Sequence, residues 1–528
     1  MNLVGDLSEE QREVVVNASG PALVLAGPGS GKTRVLTYRV AYLIGSENID
    51  PRSVLAVTFT NKAAREMKNR IKSLLPGLKH LPWVSTFHSF ALRVLRETAG
   101  KGLSTVKRNF AVYDDIDSFK LIKTIVDDMD TIDSIIKPAS VAYRISIAKN
   151  FLQTPEDIYV NEGDPLDEMV VKVYRKYQDE LHIKRALDFD DLIMKTVQTF
   201  KTFPSILSKY KYRYKYILID EFQDTNFSQY GLIKLLAEDH RNIFLVGDED
   251  QSIYSWRGAN VDNIYEFKRD FEDHRIFRLG NNYRSTKMIV RVSSDVIRGN
   301  TRRMEKDYYT ENPEGSEVFY YRAESDSREA AFVVRQIKEL SSQYDLSKMA
   351  ILYRTNAQSR VFEEELSDAK LPYAIVGGFR FYQRKEVKDI ISYYRLLINP
   401  HDEAALLRII NTPRRGIGDK TIEKLLITAR ENGMSVGELI FKNRALVDLS
   451  KTAARSLDSF LLLINDLKNV SKGAKPFAVI KQIINKTDYI NYLEGDRSID
   501  ATNRIDNLQE LINAAAQFSV NNLDAGLE

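Results

Sequence analysis

An α/β fold, built on parallel sheet covered by helices on both faces, is the class this sequence predicts. Three observations predict it. Short apolar runs of strand type alternate with helical patterns through the first third of the chain, an order that implies parallel strands joined by crossover helices. A glycine-rich turn stands between one such run and the helix after it. A second strand–helix–strand pattern begins near Glu317.

The elements follow in order. Ala22–Ala26 is apolar throughout and reads as a buried strand, followed by the glycine-rich turn and a helix from about Lys32 to Ile44. Val54–Thr58 is a second strand, Trp83–Thr86 a short third, and Tyr216–Asp220 and Asn242–Gly247 are further ones. Between about Tyr113 and Tyr210 helical periodicity takes over, with Leu121, Ile122, Ile125 and Val126 on one face and Val170, Val171, Val173 and Tyr174 on another. In the second pattern Val318–Tyr321, Met349–Tyr353 and Tyr373–Val376 are strands separated by helices, and from about Lys385 to Glu528 the chain reads as helical. The expected organisation is an α/β domain over residues 1–287 with a helical insertion at about 112–210, the first part of a second such domain over 288–384, and a helical insertion over 385–528.

Composition bounds the function classes. A chain of 528 residues exceeds one hydrophobic core, and 43% hydrophobic with 28% charged residues is ordinary for globular protein. The net charge of +3 decides nothing about nucleic acid, because a local basic groove can hide in a near-neutral total. Zero cysteines exclude disulfides, thiolate zinc sites and iron–sulfur clusters. No run approaches the roughly 18–20 apolar residues of a membrane span, and Met1–Glu10 lacks the basic and apolar regions of a signal peptide. A cytoplasmic location is the expectation.

Ala26-Gly27-Pro28-Gly29-Ser30-Gly31-Lys32-Thr33 carries the chemistry of a phosphate loop. Glycines let backbone N–H groups approach phosphates, the helix N-terminus adds a positive field, and Lys32 neutralises the β/γ oxygens. Thr33 supplies a hydroxyl for Mg²⁺. Ala26 stands where the strict pattern has glycine, a departure that leaves the cradle intact. Tyr216–Ile219 ends in Asp220-Glu221, which puts one acid beside the metal and the other where it polarises an attacking water. Alone, such a pair is as often a helix cap. The lysine/arginine–tyrosine alternation from Lys209 to Tyr216 reads as a solvated strand edge or a nucleic-acid contact.

Further motifs occur in a fixed order: Thr58-Phe59-Thr60-Asn61-Lys62-Ala63-Ala64, Ser85-Thr86-Phe87-His88-Ser89, Asp220-Glu221-Phe222-Gln223-Asp224-Thr225, Val246-Gly247-Asp248-Glu249-Asp250-Gln251-Ser252-Ile253-Tyr254-Ser255-Trp256-Arg257-Gly258 and Asn282-Tyr283-Arg284-Ser285-Thr286. Together they resemble the UvrD/PcrA/Rep group of superfamily-1 DNA helicases over essentially the whole chain. The resemblance implies two RecA-like motor domains closing on ATP, each with a mostly helical insertion, and 3′-to-5′ movement on single-stranded DNA in repair or replication. It implies that Gln11 reads the adenine edge and Tyr283 stacks on the base. Lys32, Thr33 and the neighbouring Arg34 would then lie on the phosphates, Gln251 would sense the γ-phosphate, and Arg284 would act as an arginine finger. Outside this series Gln11 would read as a helix-surface residue and Tyr283 as core. Leu279-Gly280-Asn281 departs from the group's usual acid and glutamine.

For DNA, the resemblance implies base stacking by Phe59, Tyr254 and Trp256 with Arg257 beside them. Asn61, Thr86 and His88 would make backbone contacts, and Tyr353, Arg354 and Asn356 would form a track in the second domain. His88 also fits a buried, hydrogen-bonded imidazole, and no partner ligands give it a metal role. Gly416-Ile417-Gly418 opens a helix that either holds a duplex phosphate, as the resemblance implies, or forms a plain helical corner. The acids of Leu187-Asp188-Phe189-Asp190-Asp191-Leu192 read as helix caps.

The group's Thr-x-His-x-x-Lys-Gly-x-Glu and Tyr-Val-x-x-Thr-Arg segments do not occur, and the chain stops at Glu528 inside the helical insertion. The second sheet is therefore expected to be incomplete. Two readings stay open: an ATP-dependent helicase working on single strands and single-strand/duplex junctions, or an ATP- and DNA-binding protein without motor activity. In the second reading a further polypeptide could complete the motor.

Overall fold

The computed structural model describes residues 3–100, 106–129, 136–160, 164–255, 258–300, 304, 306, 308–355, 358–375, 384–494 and 500–521. Eight strands are present among them: β1 (Ala22–Ala26), β2 (Val54–Thr58), β3 (Trp83–Thr86), β4 (Ala111–Val112), β5 (Ala186–Leu187), β6 (Tyr216–Ile219), β7 (Ile243–Gly247) and β8 (Arg275–Leu279). Six form one parallel sheet in the order β3-β2-β6-β7-β1-β8. Register is continuous across its centre, with Leu55 opposite Ile217, Leu218 opposite Phe244 and Val24 opposite Val246.

Alternation along each strand builds two cores from one sheet. Leu23, Leu25, Leu55, Val57, Ile217, Ile219 and Leu245 face one side, where Phe87–Thr98, Phe189–Thr202 and Phe227–Ala237 cover them. Val24, Ala56, Leu218, Phe244 and Val246 face the other, beneath Glu9–Asn17, Lys32–Gly45 and Asn61–Leu74. The parallel order expected of the first domain is thus present, with β8 added at the edge. Arg275 and Arg278 are exposed there while Phe277 and Leu279 are buried.

Helices Asp115–Asp127, Pro138–Asn150 and Pro165–Ile183 pack around their own core of Ile122, Ile125, Val141, Ile145, Val170, Val173, Tyr174 and Tyr177. The two-residue strands β4 and β5 tie the entry and exit of this unit together. The Lys209–Tyr216 alternation is not a strand edge. It ends the helix Pro204–Arg213, where Tyr210 and Tyr214 are buried against Phe90, and Tyr210 donates a hydrogen bond to Glu97 at 2.7 Å. Two tyrosines four apart share a helix face, and that spacing outweighs the two-residue alternation.

From residue 317 onward the picture differs from the sequence expectation. Helices Asp326–Leu340 and Ser359–Asp368 are present and share Ala330, Val334, Phe362 and Leu366 as their contact. Val318–Tyr321, Met349–Tyr353 and the described part of Tyr373–Val376 form no sheet among the described residues, and Phe319, Tyr320 and Leu352 are 84%, 89% and 93% exposed. A strand is stable only when its N–H and C=O groups find a neighbouring strand, and these runs have none. Beyond Lys385 the chain is a helical bundle with one core, including Ile390, Tyr393, Leu406, Ile417, Phe460, Ile464 and Ile483. Charged contacts join the bundle to the first helical unit: Lys388 with Asp114 at 2.6 Å, Arg395 with Asp117 at 3.0 Å, Lys184 with Glu403 at 3.0 Å and Arg430 with Asp128 at 2.5 Å. No helix among the described residues is long and apolar enough to cross a membrane.

Candidate nucleotide site and nucleic-acid interface

In an open parallel sheet, ligands gather beyond the carboxyl ends of the strands, where loops converge. Here β1 ends in the phosphate loop, β6 in Asp220-Glu221, β7 in Asp248 to Gln251, and β8 in the run to Arg284. Strands β2 and β3 end at Phe59 and Phe87, beside the candidate DNA residues Asn61, Thr86 and His88. One edge of one sheet therefore collects both sets.

The loop from Ala26 to Thr33 needs its glycines. Gly29 and Gly31 hold φ of +69° and +91°, backbone that a side chain rarely adopts. Ser30 closes the turn by donating its hydroxyl to the Gly27 carbonyl at 2.8 Å. Lys32, almost fully buried, reaches back to the Gly27 carbonyl at 3.5 Å and lies 3.6 Å from the Asp248 carboxylate. Pro28 accepts from the Asn282 amide at 2.7 Å, and Gly29 accepts from the Tyr283 N–H at 3.0 Å. These two bonds stitch the Asn282–Arg284 segment to the loop. Arg284 and Tyr283 are themselves exposed.

Gln11 is 4% exposed, not a surface residue of its helix. It completes a capping box with Ser8 and donates its side-chain N–H to the Ser30 carbonyl at 2.9 Å. Arg34 is exposed and donates to the Asp6 carbonyl at 2.8 Å, so it points along the N-terminal segment.

Thr33 donates its hydroxyl to Asp220 Oδ2 at 3.1 Å. Asp220 Oδ1 is buried without a hydrogen-bond partner among the described residues. Burial, and after it the Glu221 charge, push the Asp220 carboxyl up to about 7. An orphaned carboxylate oxygen beside a hydroxyl fits a divalent cation, which would favour the ionised form. No group of three or more His, Asp or Glu side chains suited to a metal occurs among the described residues. Mg²⁺ is held by few protein ligands and completes its shell with phosphate oxygens and water. Glu221 stands in left-handed backbone, φ 53° and ψ 46°, and Gln223 donates to its carboxylate at 2.8 Å.

Sequence reasoning missed several residues that meet here. Gln223, 2% exposed, joins Glu221 to the Asp248 N–H, which donates to its side-chain oxygen at 2.9 Å. Asp248 is fully buried and accepts from Gln251 at 2.8 Å, from Lys306 at 2.9 Å and from the Tyr308 hydroxyl at 3.2 Å. The run Asp248-Glu249-Asp250 at the end of a buried strand was the available signal, because so much negative charge needs a cation. Nothing local marks Lys306 as that cation.

On the other half of the edge, the Phe59 and Tyr254 rings stack with centroids 4.8 Å apart, and both are half-buried. Asn61 is exposed at the start of its helix. Thr86 is buried and caps the helix Phe87–Thr98, accepting from the Ser89 N–H at 3.2 Å. His88 is partly exposed, with its ring edge-on to Phe189. Trp256, Arg257 and Asn356 lie outside the described residues. Tyr353 and the exposed Arg354 belong to no strand among the described residues. In the bundle, Gly416 has φ +76°, and Gly418 opens the helix Asp419–Glu431 with no side-chain cap. Arg415 next to them is structural: its guanidinium donates to the Ile409 carbonyl at 2.9 Å and lies over the Phe460 ring. Asp188 and Asp191 form a capping box at Phe189–Thr202, as expected, and the buried Lys149 pairs with both, at 2.5 and 3.0 Å.

Sheet order, phosphate loop and strand-end acids define a P-loop nucleotide-binding α/β protein. Comparison with known proteins narrows the class. Residues 7–272 match the UvrD/REP helicase N-terminal domain, and residues 277–527 match the UvrD-like helicase C-terminal domain. The chain is 43% identical over 528 residues to the ATP-dependent DNA helicase PcrA of Bacillus subtilis (strain 168), covering 99% of this chain and 71% of that protein. It is 41% identical over 520 residues to PcrA of Staphylococcus epidermidis and 40% identical to PcrA of Staphylococcus aureus, in each case over 98% of this chain and 71% of the relative. The chain belongs to the UvrD/REP helicase family.

Proposed function

We propose that this chain is an ATP-dependent DNA helicase that moves 3′ to 5′ along single-stranded DNA and separates strands at single-strand/duplex junctions, in the cytoplasm. The observation that carries the reading is the loop after β7. Gln251, on the nucleotide side, and Tyr254, in the aromatic pair, stand three residues apart on it, so a shift of one moves the other. In this reading residues 1–287 form the ATP-binding motor domain, 288–384 the first part of its partner, and 385–528 a helical insertion.

ATP with Mg²⁺ supplies the phosphoanhydride bond whose hydrolysis powers movement. Lys32 and the N–H groups from Gly27 to Thr33 would hold its phosphates, and Thr33 with Asp220 the cation. Glu221 is suited to orient and deprotonate water. Gln251 and the exposed Arg284 are suited to the γ-phosphate, and Gln11 and Tyr283 to the base. Phe59 and Tyr254, with Trp256, offer sequence-tolerant stacking. Asn61, Thr86, His88, Arg257, Tyr353, Arg354 and Asn356 would contact the backbone. Gly416 and Gly418 would meet duplex phosphate at the uncapped helix start. Strand displacement on duplexes with either a 3′ or a 5′ tail tests this reading. Unwinding of the 3′-tailed duplex alone is expected, and unwinding of the 5′-tailed duplex alone would refute the polarity.

A second reading rests on the exposure of Phe319, Tyr320 and Leu352 in the second α/β region. Apolar runs of this kind are suited to pairing with further strands, which a second polypeptide could bring. The chain alone would then bind ATP and DNA without unwinding. ATP-sensitive binding without strand displacement, restored by that polypeptide, is its signature.

A further inference from the structure

Three carboxylates in a row, Asp248, Glu249 and Asp250, stand at the end of β7 directly beside the phosphate loop. A cluster of negative charge there opposes the binding of a polyanion and competes for Lys32. The residue that balances it comes from a distant stretch of chain. Lys306 has 4% of its side chain exposed, and its ammonium lies 2.9 Å from Asp248 and 3.9 Å from Asp250 and contacts Glu249. Glu249 also accepts from the Met304 N–H at 3.0 Å, and the Tyr308 hydroxyl lies 3.0 Å from Asp250 and 3.2 Å from Asp248. Tyr308 reaches the loop as well, since its ring lies where a side chain at Gly27 would stand. Tyr309 and Asn282 continue the connection, the Asn282 N–H donating to the Tyr309 carbonyl at 2.8 Å.

We propose that Lys306 is a positioning residue for nucleotide binding: it neutralises the Asp248–Asp250 run, leaving Lys32 free to turn to phosphate and holding Asp248 as the anchor of Gln251. The proposal rests on the reading of Ala26 to Thr33 as an ATP site. Asp248 divides its oxygens, Oδ1 facing Lys306 and Oδ2 facing both Gln251 and Lys32. Among the described residues, Lys32 and Lys306 are the two cations paired with the run. Without Lys306, Lys32 is the described cation left on Asp248, and its attraction to that carboxylate must be broken before it can serve a phosphate.

The test is titration of the full chain with a fluorescent ATP analogue, paired with thermal melting in the absence of nucleotide. The variants are K306M, K306R, K306M/E249Q and, as reference, K32M. K306M is expected to raise Kd about tenfold or more, the scale of losing one buried pairing charge. K306R should stay within about threefold of wild type, because the charge is kept. K306M/E249Q should recover most of the loss, because one surplus carboxylate has gone. A K306M chain that binds as tightly as wild type would overturn the proposal. So would a loss that neither K306R nor E249Q repairs and that follows a matching fall in melting temperature, since that marks a scaffold role alone. K32M binding as tightly as wild type would instead overturn the nucleotide-site reading, and this proposal with it.

Discussion

Glu221 is held in left-handed backbone at φ 53°, ψ 46°, a conformation that costs a non-glycine residue about 1 kcal/mol or more. The turn keeps Asp220 under Thr33 while sending the Glu221 carboxylate to Gln223. Asp220 carries a measurable consequence. Its carboxyl is pushed up to about 7, first by burial and then by the Glu221 charge. The folded chain therefore holds this proton more tightly than the unfolded chain. Its contribution to stability is full below about pH 4 and is lost as pH rises to about 7. In metal-free buffer, the melting temperature of D220N should gain on wild type between about pH 5 and pH 8. A difference that does not change with pH would contradict the assignment. On the proposed DNA track, Phe59 and Tyr254 stack on each other at 4.8 Å. F59A and Y254A should each weaken binding of an oligothymidylate by about 1–3 kcal/mol, as base–aromatic stacking is worth. Fluorescence anisotropy measures this, with nucleotide affinity as the control. Unchanged DNA affinity in both would remove the pair from the track.

At the scale of elements, strand ends and helix starts place Lys32, Thr33, Thr86 and Asp220. The helix Phe189–Thr202 is the clearest case, because its capping acids are also the partners of Lys149 from the helix Pro138–Asn150. This buried contact fixes the first helical unit to the core of the six-stranded sheet. K149M leaves two carboxylates buried without a cation and should cost about 3–5 kcal/mol in urea denaturation. A cost under about 1 kcal/mol would mean that water reaches the cluster. Elements whose cause is local were legible in the sequence. β1, β2, β3, β6 and β7 are short apolar runs, and the glycine turn before Lys32 announces itself. β8 was not, because Arg275 and Arg278 break up its apolar run, and β4 and β5 are too short to carry a pattern. Val318–Tyr321 and Met349–Tyr353 have strand composition, but pairing is a property of neighbours, and among the described residues no strand pairs with them. In the site, the phosphate loop and Asp220-Glu221 are contiguous in sequence and could be read. Gln223, Asp248 and Lys306 act through contacts between separate segments, which local spacing does not encode.

Across the whole molecule, one sheet edge carries both the proposed nucleotide and the proposed nucleic-acid residues, and the helical bundle rests against the first helical unit through Lys388, Arg395, Lys184 and Arg430. On the proposed reading, the shared edge would make hydrolysis and DNA binding interdependent. The phosphate loop and the Phe59–Tyr254 pair are joined through the strands of one sheet and the loop carrying Gln251. That interdependence is the central claim, and steady-state ATP hydrolysis by the full chain, with and without single-stranded DNA, tests it most directly. The account predicts hydrolysis that rises at least about tenfold with DNA, is abolished in K32M, and loses its DNA response but not its basal rate in F59A/Y254A. Hydrolysis by wild type that is indifferent to single-stranded DNA would contradict it.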